Sequence, residues 1–163
     1  LARGMTNVEA ARAGDIVVLA VKFSHQAATL AELRDAVQGK IVVDTTVPLV
    51  PPKVARVQLP AEGCAAVITQ RLLGPDVRVV SAFQNVAATS LASTAPPECD
   101  VLVTGNDPEA RETVIGLAAA AGFKAWHAGS LENSAAAEAL TSLLIFMNKK
   151  YASDHIGIRI TGL

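Results

Sequence analysis

The chain reads as an α/β protein with a doubly wound parallel sheet, and three observations carry that reading. Short apolar, mostly β-branched runs recur at Ile16-Val17-Val18-Leu19-Ala20-Val21, Ile41-Val42-Val43 and Val79-Val80. Helical patterns separate them, as expected for parallel strands buried on both faces. Each run then breaks into small and polar residues: Lys22-Phe23-Ser24-His25, Asp44-Thr45-Thr46-Val47-Pro48 and Ser81-Ala82-Phe83-Gln84-Asn85. Ligands of such sheets sit outside the carboxyl ends of the strands. Three strands thus deliver polar tips to one rim, and that rim is the candidate site.

The elements follow in order. Residues 5–13 form a short helix, with Thr6 or Asn7 as its cap and Gly14 as its stop. The first strand runs from Asp15 to about Val21. The next helix opens at Ser24, carries Ala27, Ala28, Ala31 and Val37 inward and Glu32, Arg34 and Asp35 outward, and closes at Gly39. The second strand is 40–43. Pro48, Pro51, Pro52 and Pro60 make the following stretch an extended loop, because proline lacks a donor and fixes φ. A helix over 61–72 stops at Gly74-Pro75, and 77–80 is the third strand. A turn or short helix covers 86–93 before Pro96-Pro97, and 99–104 is a fourth strand. Asp107-Pro108-Glu109 starts a helix with a capping carboxylate and a proline at the first position. It ends at Gly122, ahead of an edge-like fifth strand over 123–127. The longest helix spans 131–151, and 156–160 is a short extended tail.

Bulk properties exclude several functions. The 163 residues are 51% hydrophobic but only 4% aromatic, which favours close-packed helices on a sheet over an aromatic binding surface. A net charge of −1 gives no electrostatic case for nucleic acid or an anionic membrane as partner. Cys64 and Cys99 lack metal-knuckle or redox spacing, and the expectation is two reduced thiols in a cytoplasmic protein. The longest apolar stretch, 140–147, is too short to span a bilayer, and the opening residues carry no signal-peptide pattern. The first residue is not methionine, so the expectation is that this sequence is a piece of something longer.

Candidate residues carry more than one reading. His25, just inside a helix at a strand tip, either caps its loop or touches a ligand. Phe23 either stacks on a flat ring or covers the helix end. Asp44-Thr45-Thr46 is either a polar rim contact or a turn satisfying its own backbone. Gln84 and Asn85 carry amides suited to a carboxamide or a heterocycle edge, whereas Ser130 and Asn133-Ser134 read as helix caps. No histidine pair has metal spacing, no nucleophile elbow appears, and no G-x-G-x-x-G opens a helix.

A resemblance sharpens these alternatives. Gly4-Met5-Thr6-Asn7 with Ala10-Ala11, then Asp15 to Leu19, then Phe23-x-His25, resembles the middle of the NADPH-dependent coenzyme F420 reductases. Val42-Val43-x-x-x-Val47-Pro48 and Val79-Val80-Ser81-Ala82 continue it. The C-terminal part is the most specific: Ala128-Gly129-x-Leu131-x-Asn133-Ser134, Glu138-x-Leu140-Thr141-x-Leu143 and Ile156-Gly157-Ile158-Arg159. One departure is Lys22, where the family usually has proline before the aromatic.

The resemblance implies a Rossmann-like sheet that is N-terminally incomplete, since the family's first β-α-β with its pyrophosphate loop would precede Leu1. It further implies a Rossmann portion over 1–86 and a smaller C-terminal α/β part over 87–163, ending in the long helix. Val21, Lys22, Phe23 and His25 would lie along the nicotinamide–ribose side of NADP(H). Val47, Pro48, Ala82, Gln84 and Asn85 would border the meeting point of nicotinamide and deazaflavin, and Thr141, Gly157, Ile158 and Arg159 would reach the ring of coenzyme F420. The expected activity is hydride transfer between the two cofactors, with no catalytic side chain demanded. The alternatives are another NAD(P)H-dependent reductase, acting on an imine, a ketone or a ferric chelate, or a non-catalytic binding module. The apolar last helix and tail suggest a homodimer.

Overall fold

In a computed structural model of the chain, residues 2–163 are described. One mixed five-stranded sheet has the order β1-β2-β3-β4-β5, from β1 (Ile16–Leu19), β2 (Ile41–Asp44), β3 (Arg78–Ser81), β4 (Asp100–Gly105) and β5 (Lys124–His127). β1, β2 and β3 are parallel, with Val17, Val42 and Val79 abreast. β4 and β5 are parallel to each other as well.

The expectation of a wholly parallel sheet is corrected at one junction. β4 runs antiparallel to β3, with Val80 opposite Gly105 and Ser81 opposite Thr104. A parallel return needs a crossover that travels back down the sheet. Between β3 and β4 there is only α4 (Ala88–Ala92), five residues long, followed by coil through Pro96 and Pro97. This connector does not travel back along the sheet, so β4 enters from the tip end of β3. The reversal falls between residues 81 and 100, the stretch in which a division at 86/87 is expected, and one sheet continues across it.

Helices cover both faces. α1 (Asn7–Ala13), α2 (Phe23–Leu33) and α3 (Ala65–Leu73) share one core with Leu19, Val42, Val77 and Val79. α5 (Pro108–Ala120) packs Ala110, Val114 and Ala118 on the other, against Ile41, Val43, Val80, Val101 and Val103. The period-2 alternation of β2, with Val42 to one face and Ile41 and Val43 to the other, sets these assignments. Each valine so buried contributes roughly 1.5–2 kcal/mol of hydrophobic free energy.

Local chemistry fixes the helix ends. Thr6 and Glu9 close a reciprocal capping box on α1, and Asp107 accepts from the Ala110 N–H at 2.7 Å to open α5. Gly74 stops α3 at φ 92°, where a side chain would be strained. The inward face of α2 differs from expectation. Ala27, Ala28 and Ala31 are exposed, while Gln26, Leu30 and Leu33 are buried, continued by Val37 past a 3₁₀ turn (Arg34–Ala36). A polar Gln26 interrupts the apolar stripe, so the alanines read as the core face.

A second 3₁₀ turn (Leu131–Asn133) leads into α6 (Ser134–Tyr151). The tail after it joins no sheet but is tied to β4: Asp100 N–H donates to the Ile158 carbonyl at 2.8 Å, and Ile160 N–H to the Asp100 carboxylate at 2.9 Å. Among the described residues no helix is long and apolar enough to cross a membrane.

Candidate functional site

β1, β2 and β3 bring three carboxyl ends to one rim, while the reversed β4 pairs its last residues, Thr104 and Gly105, with the end of β3 and projects its amino end at Asp100 past that rim. An open cleft of about 620 Å³ lies at that end of β4, between segment 89–99 and tail segment 154–159. It is bounded by Thr89, Pro97, Cys99, His155, Gly157 and Arg159.

The first tip keeps its side chains at the surface. Lys22 precedes α2 as an exposed cap without a side-chain hydrogen bond, and His25 is exposed beside it. Phe23 and Val21 are half-buried. His25 closes the turn through its backbone, donating N–H to the Lys22 carbonyl at 2.8 Å, so its ring is not the cap.

The second tip resolves in favour of a self-satisfied turn. Asp44 Oδ1 accepts from the Thr46 N–H at 2.7 Å and the Thr46 hydroxyl at 2.6 Å. Its Oδ2 accepts from the Thr69 hydroxyl of α3 at 2.5 Å and from Gln26 Nε2 at 3.2 Å. Asp44 is fully buried, and burial raises its pKa against these donors. Thr45 donates to the Leu19 carbonyl at 3.0 Å, tying the first two tips together. Val47 is half-buried and Pro48 buried beyond them.

The third tip is where expectation and structure part most clearly. Ala82, Gln84 and Asn85 are all buried. The two amides turn inward: Gln84 Nε2 donates to the Asp44 carbonyl at 2.8 Å and to Ser81 Oγ at 2.7 Å, and Asn85 Nδ2 to the Ala137 carbonyl at 2.8 Å. Phe83 between them holds φ at 72°, a conformation rare for a bulky side chain, with its ring edge-to-face on Phe123 at 6.3 Å. Strained tip residues of this kind cluster at functional sites.

The final helix and tail complete the wall. The half-buried Thr141 donates its hydroxyl to the Gln84 carbonyl at 2.8 Å, fixing the tip from the α6 side. Gly157 passes so close to β4 that a Cβ there would lie 2.4 Å from Cys99 Cβ. Ile158 is half-buried and Arg159 exposed.

Of the expected caps, Ser130 and Asn133 occupy the N-cap positions of the 3₁₀ turn and of α6, whereas Ser134 is the first residue of α6. Neither Ser130 nor Asn133 makes a side-chain cap, and Asn133 Nδ2 donates to the Ala128 carbonyl at 2.8 Å. Ser134 is fully buried and donates to Glu138 Oε1 at 2.9 Å.

Glu138 is the functional-looking residue that pattern reading missed. Its carboxylate accepts from the Ala65 N–H at 2.7 Å and the Ala66 N–H at 3.2 Å, supplying the cap that α3 lacks locally. Burial pushes its pKa up to about 7, opposed by those donors and reinforced by the Asp44 charge. Its i, i+4 spacing from Ser134 on one helix face was the available signal. The neighbouring Cys64 thiol is pushed up to about 11, chiefly by burial, which leaves it inert at neutral pH.

The layout, parallel strand tips at one rim of a sheet covered by helices on both faces, is that of a Rossmann-type protein. Residues 1–48 match the family described as NADP oxidoreductase, coenzyme F420-dependent. The chain is 42% identical over 165 residues to the F420-dependent NADP reductase of Methanocaldococcus jannaschii, covering 98% of this chain and 74% of that protein. It is 38% identical to the enzyme of the same name from Methanothermobacter thermautotrophicus, over 98% of this chain and 72% of that one. This protein belongs to the F420-dependent NADP reductase family. Its fold matches a crystal structure described as a putative F420-dependent NADP reductase from Arthrobacter sp. FB24, at TM-score 0.84 and 22% identity, over 97% of this chain and 74% of that one.

Proposed function

We propose that the protein transfers a hydride between NADP(H) and coenzyme F420, an 8-hydroxy-5-deazaflavin. The observation that supports this most is the rim itself, in a chain that shares its family with named F420-dependent NADP reductases. The three strand tips are tied to one another and Gly157 of the tail passes beside Asn85 and Cys99, while the buried carboxylates beneath, Asp44 and Glu138, are spent on inward hydrogen bonds.

The residues fit the ring-bearing parts of two flat cofactors. Lys22, Phe23 and His25 offer a surface beside the first tip, with half-buried Val21 and Val47 next to them, while buried Pro48 and Ala82 support it from beneath. Gln84 and Asn85 contribute by holding the tip from within. Thr141, Gly157 and Ile158 form the wall on the deazaflavin side. The absence of a Cβ at Gly157 lets the tail lie flat on Cys99 beside the cleft. No glycine-rich loop in this sequence cradles a pyrophosphate, so the fit concerns the rings alone.

Bound together, the cofactors supply the reactivity, moving hydride from nicotinamide C4 to deazaflavin C5 or back. The chain's own task is to hold two rings in near-attack geometry and keep water out. The purified protein should catalyse electron exchange between NADPH and coenzyme F420 in a spectrophotometric assay. Absence of exchange, with NADPH consumed instead by an imine, ketone or ferric chelate, would favour the second reading, which the lysine at position 22 motivates. We also propose a homodimer through the exposed Leu143, Phe146, Met147 and Tyr151 of α6. Sedimentation showing a monomer alone would refute it.

A further inference from the structure

A hydrogen-bond relay runs from the third strand tip into the core, and its direction is dictated at one end. Gln84 Nε2 donates to Ser81 Oγ at 2.7 Å, Ser81 and Ser134 hydroxyls lie 2.5 Å apart, and Ser134 Oγ meets Glu138 Oε1 at 2.9 Å. An ionised carboxylate can only accept. Ser134 therefore gives its proton to Glu138, Ser81 gives its proton to Ser134, and Ser81 is left to accept from Gln84. The same carboxylate takes the Ala65 and Ala66 N–H groups. At the far end, Gln84 Nε2 also reaches the Asp44 carbonyl at 2.8 Å, and Thr141 holds the Gln84 carbonyl.

One atom does not fit this ordering. Gln84 Oε1 is buried and, among the described residues, has no hydrogen-bond partner. That atom is the acceptor the reversed relay would need. If Glu138 carries a proton, its O–H can donate to Ser134, Ser134 to Ser81, and Ser81 to an oxygen at position 84. The amide must then turn, which costs the bond from Nε2 to the Asp44 carbonyl between the second and third tips.

We infer that Glu138 is a positioning residue for the rim: as a carboxylate it orders the relay that pins Gln84 between two strand tips, and on taking up a proton it reverses the relay and frees that tip. The one covalent bond formed is the Glu138 O–H, its proton taken from solvent, and every other change is a rotation that exchanges hydrogen bonds. The ionisable groups that face Glu138 are Asp44 from β2 and the Cys64 thiol from the turn before α3. Ser134 of α6 and Ser81 of β3 add no charge, and Glu132 in the preceding 3₁₀ turn is exposed. Burial places the Glu138 transition near neutrality.

The relay stands without the hydride-transfer reading; only its consequence for catalysis rests on that reading. The direct test is nuclear magnetic resonance of the full chain with isotope-labelled glutamine, following the Gln84 side-chain amide across pH. The expected result is one Gln84 transition that coincides with titration of the Glu138 carboxyl. Glu138→Gln, whose amide can donate to Ser134 at every pH, should hold Gln84 at the wild-type acid-side position. Ser134→Ala should abolish the Gln84 response while Glu138 still titrates, and it decides the matter if the first variant does not fold. A flat Gln84 signal while Glu138 titrates, or a response that survives Ser134→Ala, would overturn the proposal. In the NADPH–F420 assay, wild-type kcat/KM should break at the same pH and Glu138→Gln should lack the break. A coincident Gln84 transition with no exchange activity would remove the functional reading and leave the relay.

Discussion

The two faces of the sheet solve the same packing problem with different chemistry. On the α5 face, Ile41, Val43, Val80, Val101 and Val103 meet Ala110, Val114, Ala118 and Phe123 in an apolar layer. The α2–α3 face begins the same way, with Leu30, Val42, Leu73 and Val79, but toward the rim it turns polar. There Gln26, Asp44, Thr46, Thr69, Ser81, Gln84, Ser134 and Glu138 are all buried. Apolar packing is nondirectional and holds layers together, whereas a buried polar network fixes positions at the risk of heavy penalties when incomplete. The directional chemistry lies under the rim, where the strand tips must be held in place.

That contrast can be broken by mutation. Phe123→Ala should cost about 4 kcal/mol in urea denaturation, the transfer and cavity cost of a buried phenyl ring. The loss should be the same in acid and at neutral pH, because the ionisable group of that cluster, the Cys99 thiol, has its pKa raised by burial and stays protonated there. A strongly pH-dependent loss would blur the distinction between the faces.

The polar side should show a pH dependence of its own. A carboxyl whose folded pKa lies above its unfolded value binds its proton more tightly when folded. Glu138, raised from 4.5 to about 7, therefore contributes stability that is fully present below about pH 4.5 and lost as pH rises through about 7. Asp44, raised by burial, acts in the same direction. Thermal melts of the wild type should show falling stability across that window, and Glu138→Gln should flatten the Glu138 part of the slope. A slope unchanged in the variant would contradict the assignment.

Gly157→Ala probes the rim where the two sides meet. The new methyl would collide with Cys99, so the tail must lift from β4. Global stability should change little, while kcat/KM for the deazaflavin should fall about tenfold or more through lost positioning. Asp107→Ala, far from the polar floor, should cost only about 1 kcal/mol as a lost helix cap, with activity unchanged.

The sequence made the apolar half of this comparison legible and concealed much of the polar half. Period-2 and helical patterns located every strand and helix to within a few residues, because burial of β-branched runs is a local signal. The antiparallel entry of β4 was not legible, since a short polar connector and a crossover look alike until their path is known. Alanines on α2 were mistaken for its core face because Gln26 is polar, and its burial depends on partners 18 to 43 residues away. Gln84 and Asn85 are legible at the third tip, but the inward direction of Asn85 is set by α6, more than 50 residues later, and that of Gln84 by the Asp44 carbonyl, 40 residues earlier. Glu138 enters the sequence reading only within the family-like run Glu138-x-Leu140-Thr141-x-Leu143, because its partners Ala65 and Ala66 lie more than 70 residues earlier.

The central claim is that the rim holds two rings for direct hydride transfer while the ionisable groups beneath it face inward. It is tested most directly with NADPH carrying deuterium at nicotinamide C4, turned over with coenzyme F420 in ordinary water. The account predicts that the label is recovered on deazaflavin C5. Label lost to water would contradict it, because the transferred hydrogen would then have passed through an exchangeable group and not directly from ring to ring.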